Sequence, residues 1–495
     1  MAGIKSLAKD TAIYGISSIL GRFLNWCLVP LYTIMFPAEE YGIVTYIYSI
    51  VALALIILTY GMETGFFRFA NHERWKDPIQ VYTTSLISLA STSSLFIIAV
   101  LLFLNPISAA MECGTHQSYV WMMAVAVAID AFTAIPFAYL RYRKRPMRFA
   151  CLRLVNIGLN ICLNLFFILL CPWLWKEYPG LVAWFYDPGF GVGYIFLANL
   201  ISSVVTLLML FSEITGIHYS FNGKLLKDML AYSFPLLILG FAGIMNQTID
   251  KILYPILVPD PQEALTGLGI YGANYKIGIV MVMFIQAFRF AYEPFIFAQN
   301  KEKGNDKYQA YRDAMKYFVI FGLLIFLIVM FYLDILKYFI SPKYFSGLQV
   351  VPIIMMAELF FGIFFNLSLW YKLNDKTVWG MWFSLLGLAI TLILNILFVP
   401  RYGYIACAWA AFACYGVMMV TSYFVGKAKH PIGYETGRIL SYFVIATAIY
   451  VTGMSVSTPW EYLTLALRTA LLAIYIVIVI KRESLNPLAI LKRRH

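Results

Sequence analysis

Long apolar segments follow one another along almost the whole chain. Of its 495 residues, 61% are hydrophobic and 13% are charged. A helix needs about 20 predominantly apolar residues to cross a membrane. The sequence predicts fourteen such spans, roughly at residues 11–35, 41–63, 79–104, 118–140, 151–171, 190–212, 228–258, 269–298, 312–336, 350–371, 378–399, 403–426, 438–456 and 461–480. The loops are too short to hold a soluble domain, so the predicted fold class is an all-α integral membrane protein.

The positive charges lie mainly on one side of these spans. Loops on that side, with both termini, carry 26 of the 37 Lys and Arg residues, loops on the other side carry 4, and the remaining 7 lie within or at the edge of spans. Lys and Arg are retained on the cytoplasmic side during insertion. We therefore predict a multi-pass protein of the cell inner membrane with both termini in the cytoplasm. The same loops explain the net charge of +12, so no nucleic-acid partner is expected.

Two parts of the chain resemble each other. Span 1 and span 2 contain Leu28-Val-Pro-Leu-Tyr and Tyr41-Gly42, and spans 7 and 8 contain Leu253-Tyr-Pro-Ile-Leu and Tyr271-Gly272. This spacing predicts two parallel six-helix bundles, residues 1–215 and 216–427, followed by two further helices and a basic cytoplasmic tail in 428–495. Repeated bundles of this kind are a common transporter plan, with the substrate site between the halves.

Ionisable residues inside the predicted spans are candidate functional groups, because an unpaired charge in hydrocarbon costs several kcal/mol. Arg22 lies in span 1 and shares a helix face with Asn25, three residues later. The other ionisable candidates are Lys251 and Asp250 in span 7, Lys276 and Arg289 in span 8, Asp130 in span 4 and Glu358 in span 10. Asn274 in span 8 is a neutral polar candidate. An internal salt bridge that locks helices together is the alternative role, and it applies most directly to Asp250 and Lys251.

Span 5 carries a polar stripe instead of isolated charges. Arg153, Asn156, Asn160 and Asn164 are spaced by three, four and four residues, so they line one helix face. The amides can line an aqueous path and bind sugar hydroxyls, or they can join this helix to its neighbours. The sequence leaves both interpretations open.

Other chemistry has little support in the sequence. The seven cysteines form no CxxC motif or Cys/His cluster, so neither a metal site nor a disulfide framework is expected. There is no Walker lysine motif, and no local spacing suggests a nucleophile with its base. We therefore predict a protein that is not an enzyme and has no cofactor except a coupling proton or sodium ion, for which Asp250, Glu358 and Asp130 are the candidate sites.

Short motifs add a family resemblance. Gly21-Arg-Phe-Leu-Asn25, the turn Leu31-Tyr-Thr-Ile-Met-Phe-Pro-Ala-Glu-Glu-Tyr-Gly42, the pair Asp250-Lys251, and Gly269-Ile-Tyr-Gly-Ala-Asn-Tyr275 carry it. Together with fourteen spans in two halves and two extra spans, they resemble the multidrug/oligosaccharidyl-lipid/polysaccharide flippase superfamily. Within it, the chain looks similar to the polysaccharide transporter branch, the O-antigen flippases.

This resemblance implies a transporter that flips an undecaprenyl-pyrophosphate-linked oligosaccharide unit across the inner membrane by alternating access, for cell-surface polysaccharide biosynthesis. It places spans 1, 7 and 8 around a cationic central cavity. Arg22, Lys251, Lys276 and Arg289 would then bind the diphosphate, and Asn25, Asn156, Asn160, Asn164 and Asn274 would bind the sugars. Membrane lipids and the polysaccharide polymerase machinery are the implied partners.

Three other functions remain open. A multidrug exporter shares the fold, although a cationic cavity would repel its usual cationic substrates. A lipid II flippase also uses a cationic cavity. A membrane glycosyltransferase or polymerase commonly needs an outer domain, and the largest outer loop, about residues 172–189, is too short to fold alone. A scaffold without transport is disfavoured by the charges within the spans.

Overall fold

The computed structural model describes residues 20–71, 75, 77–111, 116–299, 306–372, 374, 376, 378–456 and 458–484. Within these ranges the chain is helical and contains no β-strand. Thirteen long helices form the framework of the described chain: α1 Ala38–Thr59, α2 Pro78–Leu102, α3 Gln117–Tyr142, α4 Pro146–Leu165, α5 Gly193–Met209, α6 Gly223–Leu257, α7 Pro261–Gln299, α8 Asp306–Phe331, α9 Val350–Leu367, α10 Val378–Tyr402, α11 Tyr404–Lys429, α12 Thr436–Ser455 and α13 Glu461–Arg482.

Shorter helical segments connect or extend these helices. Residues 20–26 are helical. The short α-helices are Val29–Met35, Met62–Ala70, Leu104–Ala110, Cys171–Glu177, Pro179–Val182, Phe211–Ile214, Leu333–Leu336 and Leu369–Lys372. Three 3₁₀ turns, Pro188–Phe190, Lys337–Phe339 and Pro342–Gly347, lie in loops, and one π-helix, Phe166–Leu170, continues α4.

The prediction of an all-α membrane protein is confirmed. Among the described residues, twelve helices are long and apolar enough to cross a membrane, and α5 is a shorter apolar helix. These thirteen match the second to fourteenth predicted spans to within six residues at each end, except that α7 begins eight residues early. Residues 11–19 of the predicted first span and the basic tail after residue 484 lie outside the described residues, so the count of fourteen stays a prediction.

Local sequence signals set several helix ends. The Asp77 side chain accepts a hydrogen bond from the Ile79 backbone N–H at the start of α2, and Asn222 caps α6 in the same way. Such caps satisfy N–H groups that have no partner within the helix. Helix α1 ends at Tyr60 and Gly61, which both have positive φ, and the chain then continues as Met62–Ala70. The predicted second span is therefore two helices.

The described chain packs as two units. The first comprises residues 1–273 and 384–410, and the second comprises residues 274–383 and 411–495. The long helices α7, α10 and α11 each contribute to both units. The division into bundles at residues 215 and 427 remains a prediction.

The first unit has an aromatic core at one end of its helices. Phe66 is fully buried in the short helix Met62–Ala70, and the Tyr82 ring stacks on the Tyr139 ring with centroids 4.2 Å apart. The Tyr82 hydroxyl donates to the Glu213 backbone carbonyl at 2.9 Å. Aromatic pairs of this kind contribute about 0.5–1.5 kcal/mol beyond area burial, so they fix the helix ends that carry the basic loops.

Helices α1 and α7 touch through their backbones within the first unit. A Cβ atom on Gly42 would lie 1.9 Å from the Leu265 carbonyl oxygen, and one on Gly269 would lie 1.8 Å from the Ala38 carbonyl oxygen. Only glycine allows this approach. Small residues at helix crossings let membrane helices pack closely, where dispersion replaces the hydrophobic effect as the driving force. This contact joins the two predicted halves of the chain.

Replacing Gly42 with alanine is expected to destabilise the protein by about 1–3 kcal/mol, because a backbone atom cannot move aside as a flexible side chain would. The measurement is the apparent melting temperature of the purified protein in detergent. Gly243→Ala is the matched control, since a Cβ there meets nothing within 4 Å. Equal melting temperatures for the two variants would contradict the close contact.

A buried carboxylate just after α13 joins three helices of the second unit. Glu483 accepts hydrogen bonds from Lys316 Nζ and Arg438 Nε, both at 2.9 Å, and from the Tyr442 hydroxyl at 2.6 Å. Its side chain is only 2% exposed. The last two helices are thereby attached to α8, which also accepts a hydrogen bond from Tyr475 through the Ile320 carbonyl.

The Glu483 network predicts an acid-sensitive part of the stability. Burial alone would raise the pKa of this carboxyl group, but the Tyr442 hydrogen bond and the neighbouring Lys316 and Arg438 charges lower it below its usual value of 4.5. A depressed pKa stabilises the fold above the unfolded-state pKa, and this contribution is lost as the pH falls through the folded-state pKa.

We therefore expect the difference in melting temperature between wild type and Glu483→Gln to be largest at neutral pH and to shrink below about pH 4.5. Glu461→Gln is the control, because Glu461 is exposed in the first turn of α13. A difference that stays constant down to pH 3 would contradict this role for the ionised carboxylate.

Candidate functional site

Arg22 carries a charge without a partner in the described part of the chain. It lies in the helix over residues 20–26, which packs against α4 closely enough that a Cβ on Gly21 would lie 2.5 Å from Ile157 Cδ1. The Arg22 and Asn25 side chains are exposed. Among the described residues, Arg22 makes no hydrogen bond or ion pair. Its guanidinium is therefore available to an anionic ligand.

Lys251 and Asp250 form a buried ion pair on α6. Lys251 Nζ lies 3.1 and 3.2 Å from the two Asp250 carboxylate oxygens and donates to the Gln247 carbonyl at 2.9 Å. The Tyr271 hydroxyl of α7 donates to Asp250 Oδ2 at 2.7 Å. The pair is close to neutral as a whole, so this lysine offers less charge to a ligand than the sequence alone suggests.

Asn246 lies one turn before Asp250 and is also buried. Its Nδ2 donates to the Ser384 carbonyl of α10 at 3.0 Å. Ser384 is the first residue of α10 that belongs to the first unit, so this bond joins α6 to α10 within that unit. The polar face of α6 that the sequence indicates is therefore engaged in contacts with α7 and α10.

The polar stripe of α4 contacts neighbouring helices. Asn156 Nδ2 donates to Thr206 Oγ1 at 2.7 Å and to the Ser202 carbonyl at 3.1 Å, both on α5. Asn164 donates to Asn160 and accepts from the Tyr32 hydroxyl at 2.9 Å. The sequence allowed two roles for these amides: they could line an aqueous path, or they could join neighbouring helices. The observed contacts are of the second kind. Arg153, at the start of the stripe, lies 4.1 Å from the centre of the Phe137 ring.

The candidate residues after position 273 lie in the second unit. Asn274 is buried and donates to the Tyr344 carbonyl at 2.8 Å, and the Tyr275 hydroxyl donates to the Glu358 carboxylate. The Arg289 guanidinium lies 3.4 Å from the centre of the Phe365 ring. Lys276 is half-buried. The structure thus distributes the four predicted cations over both units, with Arg22 and Lys251 in the first.

The Asp130 side chain accepts one hydrogen bond in the described part of the chain, and its donor is a hydroxyl group. The Ser203 hydroxyl of α5 donates to Asp130 Oδ1 at 2.8 Å, and the Asp130 side chain is otherwise exposed. Glu358 and Asp250 also accept from hydroxyl groups, on Tyr275 and Tyr271. Each predicted ion-coupling carboxylate therefore has a hydroxyl neighbour, which can stay in place whether the carboxylate is charged or protonated.

The partners of these groups were not predicted from the sequence. Tyr271 and Tyr32 are 21 and 132 residues from the side chains that they contact, so helical spacing could not pair them. The basic loops, too, were interpreted from the sequence only as signals of membrane topology. The structure pairs Arg141 with Glu63 and places Arg148 Nη1 2.6 Å from Glu213 Oε1. The sequence does place Glu63 and Glu213 close to the ends of cytoplasmic loops, and that position could have indicated these ion pairs.

The fold as a whole is that of known membrane transporters. The structure of the lipid II flippase MurJ in an inward closed conformation matches with a TM-score of 0.72 and 14% identity, covering 96% of this chain and 99% of that one. An inward-facing multidrug resistance MATE family transporter of the MOP superfamily matches with a TM-score of 0.67 and 15% identity, over 83% and 94% of the two chains.

A third structure, a MOP superfamily transporter from Pyrococcus furiosus described as having a binding pocket of reverse polarity, matches with a TM-score of 0.60 and 16% identity over 85% and 95% of the chains. The family model for polysaccharide biosynthesis proteins matches residues 7–298, more than half of the sequence. The chain therefore belongs to the polysaccharide biosynthesis protein family. No curated protein matches it.

Proposed function

We propose that this protein is a transporter that flips an undecaprenyl-pyrophosphate-linked oligosaccharide unit from the cytoplasmic to the outer leaflet. Arg22 is the observation that carries the proposal. A guanidinium within a predicted span, exposed and without an ion-pair partner among the described residues, is costly in hydrocarbon. The cost falls if the group faces water and binds an anion. A diphosphate headgroup that must cross the membrane is such an anion.

Family membership supports a saccharide-linked substrate over the alternatives. The chain belongs to a polysaccharide biosynthesis family, and its fold is shared by a lipid II flippase and by multidrug transporters. A multidrug exporter of cationic compounds would gain nothing from an unpaired arginine on its path. In the proposed mechanism Arg22 binds the diphosphate, Asn25 binds adjacent polar groups, and the polyprenyl chain stays in lipid.

The remaining candidate residues have supporting roles in this proposal. Lys276 and Arg289 are further candidate cations of the second unit, whereas Lys251 and the amides of Asn156, Asn160, Asn164 and Asn274 chiefly hold neighbouring segments of the chain together. Asp130, Asp250 and Glu358 are the groups through which a coupling proton or sodium ion would act. We place the protein in the inner membrane with cytoplasmic termini, beside the machinery that polymerises the flipped units.

The test is ligand-dependent stability of the purified protein. A ligand at 100 times its dissociation constant stabilises the folded state by about 2.7 kcal/mol. We expect undecaprenyl pyrophosphate to raise the melting temperature and undecaprenol to leave it unchanged. A cationic dye is the comparison ligand. Stabilisation by the dye alone would overturn the proposal in favour of a multidrug exporter.

A further inference from the structure

A small polar cavity lies beside the segment that joins the first two predicted spans. Its volume is about 230 Å³, and its lining includes Phe36, Glu40, Phe167, Tyr186 and Tyr194. At roughly 30 Å³ per water molecule, this volume holds seven or eight waters. The cavity lies entirely within the first unit, and the sequence places its loops on the outer side of the membrane.

Glu40 contributes a carboxylate to the lining of the cavity. The Val192 backbone N–H donates to the Glu40 carboxylate, but Oε2 is buried and has no hydrogen-bond partner among the described residues. A buried acceptor left unsatisfied costs about 1–3 kcal/mol. Gly191 has a φ of +51°, and a Cβ there would lie 2.8 Å from Oε2. The loop backbone therefore approaches the carboxylate closely and holds it at the cavity.

Aromatic rings form a second wall. The Tyr186 and Phe167 rings each stack on Tyr194, with centroids 5.0 Å apart and interplanar angles of 18°. Burial raises the pKa of Tyr186 to about 12, so its hydroxyl is protonated at neutral pH and can donate. Phe167 belongs to the π-helix Phe166–Leu170. Single-turn π segments often occur at functional sites, where they redirect side chains.

We propose that this cavity binds one pyranose ring of a saccharide. The Glu40 carboxylate accepts a hydrogen bond from a sugar hydroxyl, the Tyr186 hydroxyl bonds a second one, and the aromatic side chains that line the cavity contact the apolar C–H surface of the ring. The alternative of a divalent metal is disfavoured, because no group of three His, Cys, Asp or Glu side chains in the described chain can hold one.

This inference rests on the proposed function in one respect: the sugar that binds is taken to be part of the transported oligosaccharide. The cavity accommodates one ring, so it would contact one residue of the oligosaccharide on the outer side. A site of that kind would favour the flipped over the unflipped substrate and would select among saccharides by the hydroxyl that faces Glu40.

The test is saturation-transfer NMR on the full chain in lipid nanodiscs, with a panel of methyl glycosides of common hexoses and N-acetylhexosamines. We expect at least one glycoside to bind the wild type and Glu40→Gln to weaken it at least tenfold. Tyr186→Phe, which keeps the ring, should weaken binding less. Glu39→Gln is the matched control, because Glu39 is adjacent but contacts Gln262 and does not line the cavity.

The proposal is overturned if no glycoside in the panel binds the wild type, or if Glu40→Gln and Glu39→Gln bind equally well. Flipping by the wild type is measured in parallel. Glycoside binding without flipping would refute the proposed function alone, whereas flipping without glycoside binding would refute the cavity's role alone.

Discussion

Arg22→Ala is expected to lower the rate of flipping of a diphosphate-linked saccharide lipid by about 100-fold. Removing one partner of a desolvated charge pair costs about 2–5 kcal/mol, and each 1.4 kcal/mol is a factor of ten. Because Arg22 has no hydrogen bond or ion pair among the described residues, its removal leaves no protein group unsatisfied. The melting temperature without ligand should therefore stay close to that of the wild type.

Two further variants separate charge from geometry. Arg22→Lys keeps the positive charge but loses the planar guanidinium. Intermediate flipping activity of this variant would indicate that the diphosphate interacts with the charge alone. Near-complete loss of activity would indicate that the guanidinium binds the diphosphate through two hydrogen bonds. Arg143→Ala removes one positive charge from the turn that follows α3 and serves as the control. If Arg22→Ala flips at the wild-type rate, Arg22 does not bind the substrate.

Lys251→Met is expected to destabilise the protein by about 3–5 kcal/mol, the usual cost of leaving one member of a buried ion pair alone. The Asp250 carboxylate would keep only the Tyr271 hydroxyl among its described donors. The double variant Asp250→Asn, Lys251→Met should recover most of this loss, because a neutral amide can still accept from Tyr271 and no isolated charge remains. The measurement is the melting temperature in detergent.

Lys227→Met is the control for this comparison. Lys227 lies on the same helix, α6, but is exposed. Equal losses for the Lys251 single variant and the double variant would mean that Lys251 acts on something other than Asp250. A diphosphate ligand is one such partner, and the double variant would then also lose stabilisation by that ligand.

The positions of the helices were predictable, because each span needs an apolar segment of fixed length and loops carry the charges. Thirteen predicted spans correspond to helices, and capping residues such as Asp77 and Asn222 stand at their starts. The break at Tyr60 and Gly61 was not predicted, since apolar residues continue across it. Backbone torsion, which hydropathy does not report, ends the helix there.

The contacts of the candidate groups were harder to predict. Helical spacing correctly indicated which side chains share a face on α4 and α6, but the partner across the interface depends on how the helices pack. The sequence could not show that Tyr271 donates to Asp250, or that Gly42 meets the backbone of Leu265. Arg22 differs because the sequence offered no acidic neighbour on its own helix, and none contacts it in the described chain.

Flipping by the purified wild-type protein in liposomes is the most direct test of the account. The vesicles carry a fluorescent polyprenyl-diphosphate saccharide in one leaflet, and its appearance in the other is followed with a membrane-impermeant quencher. We predict movement of this lipid well above that in protein-free vesicles, and no movement of a cationic dye. Transport of the dye with no movement of the diphosphate lipid would contradict the account.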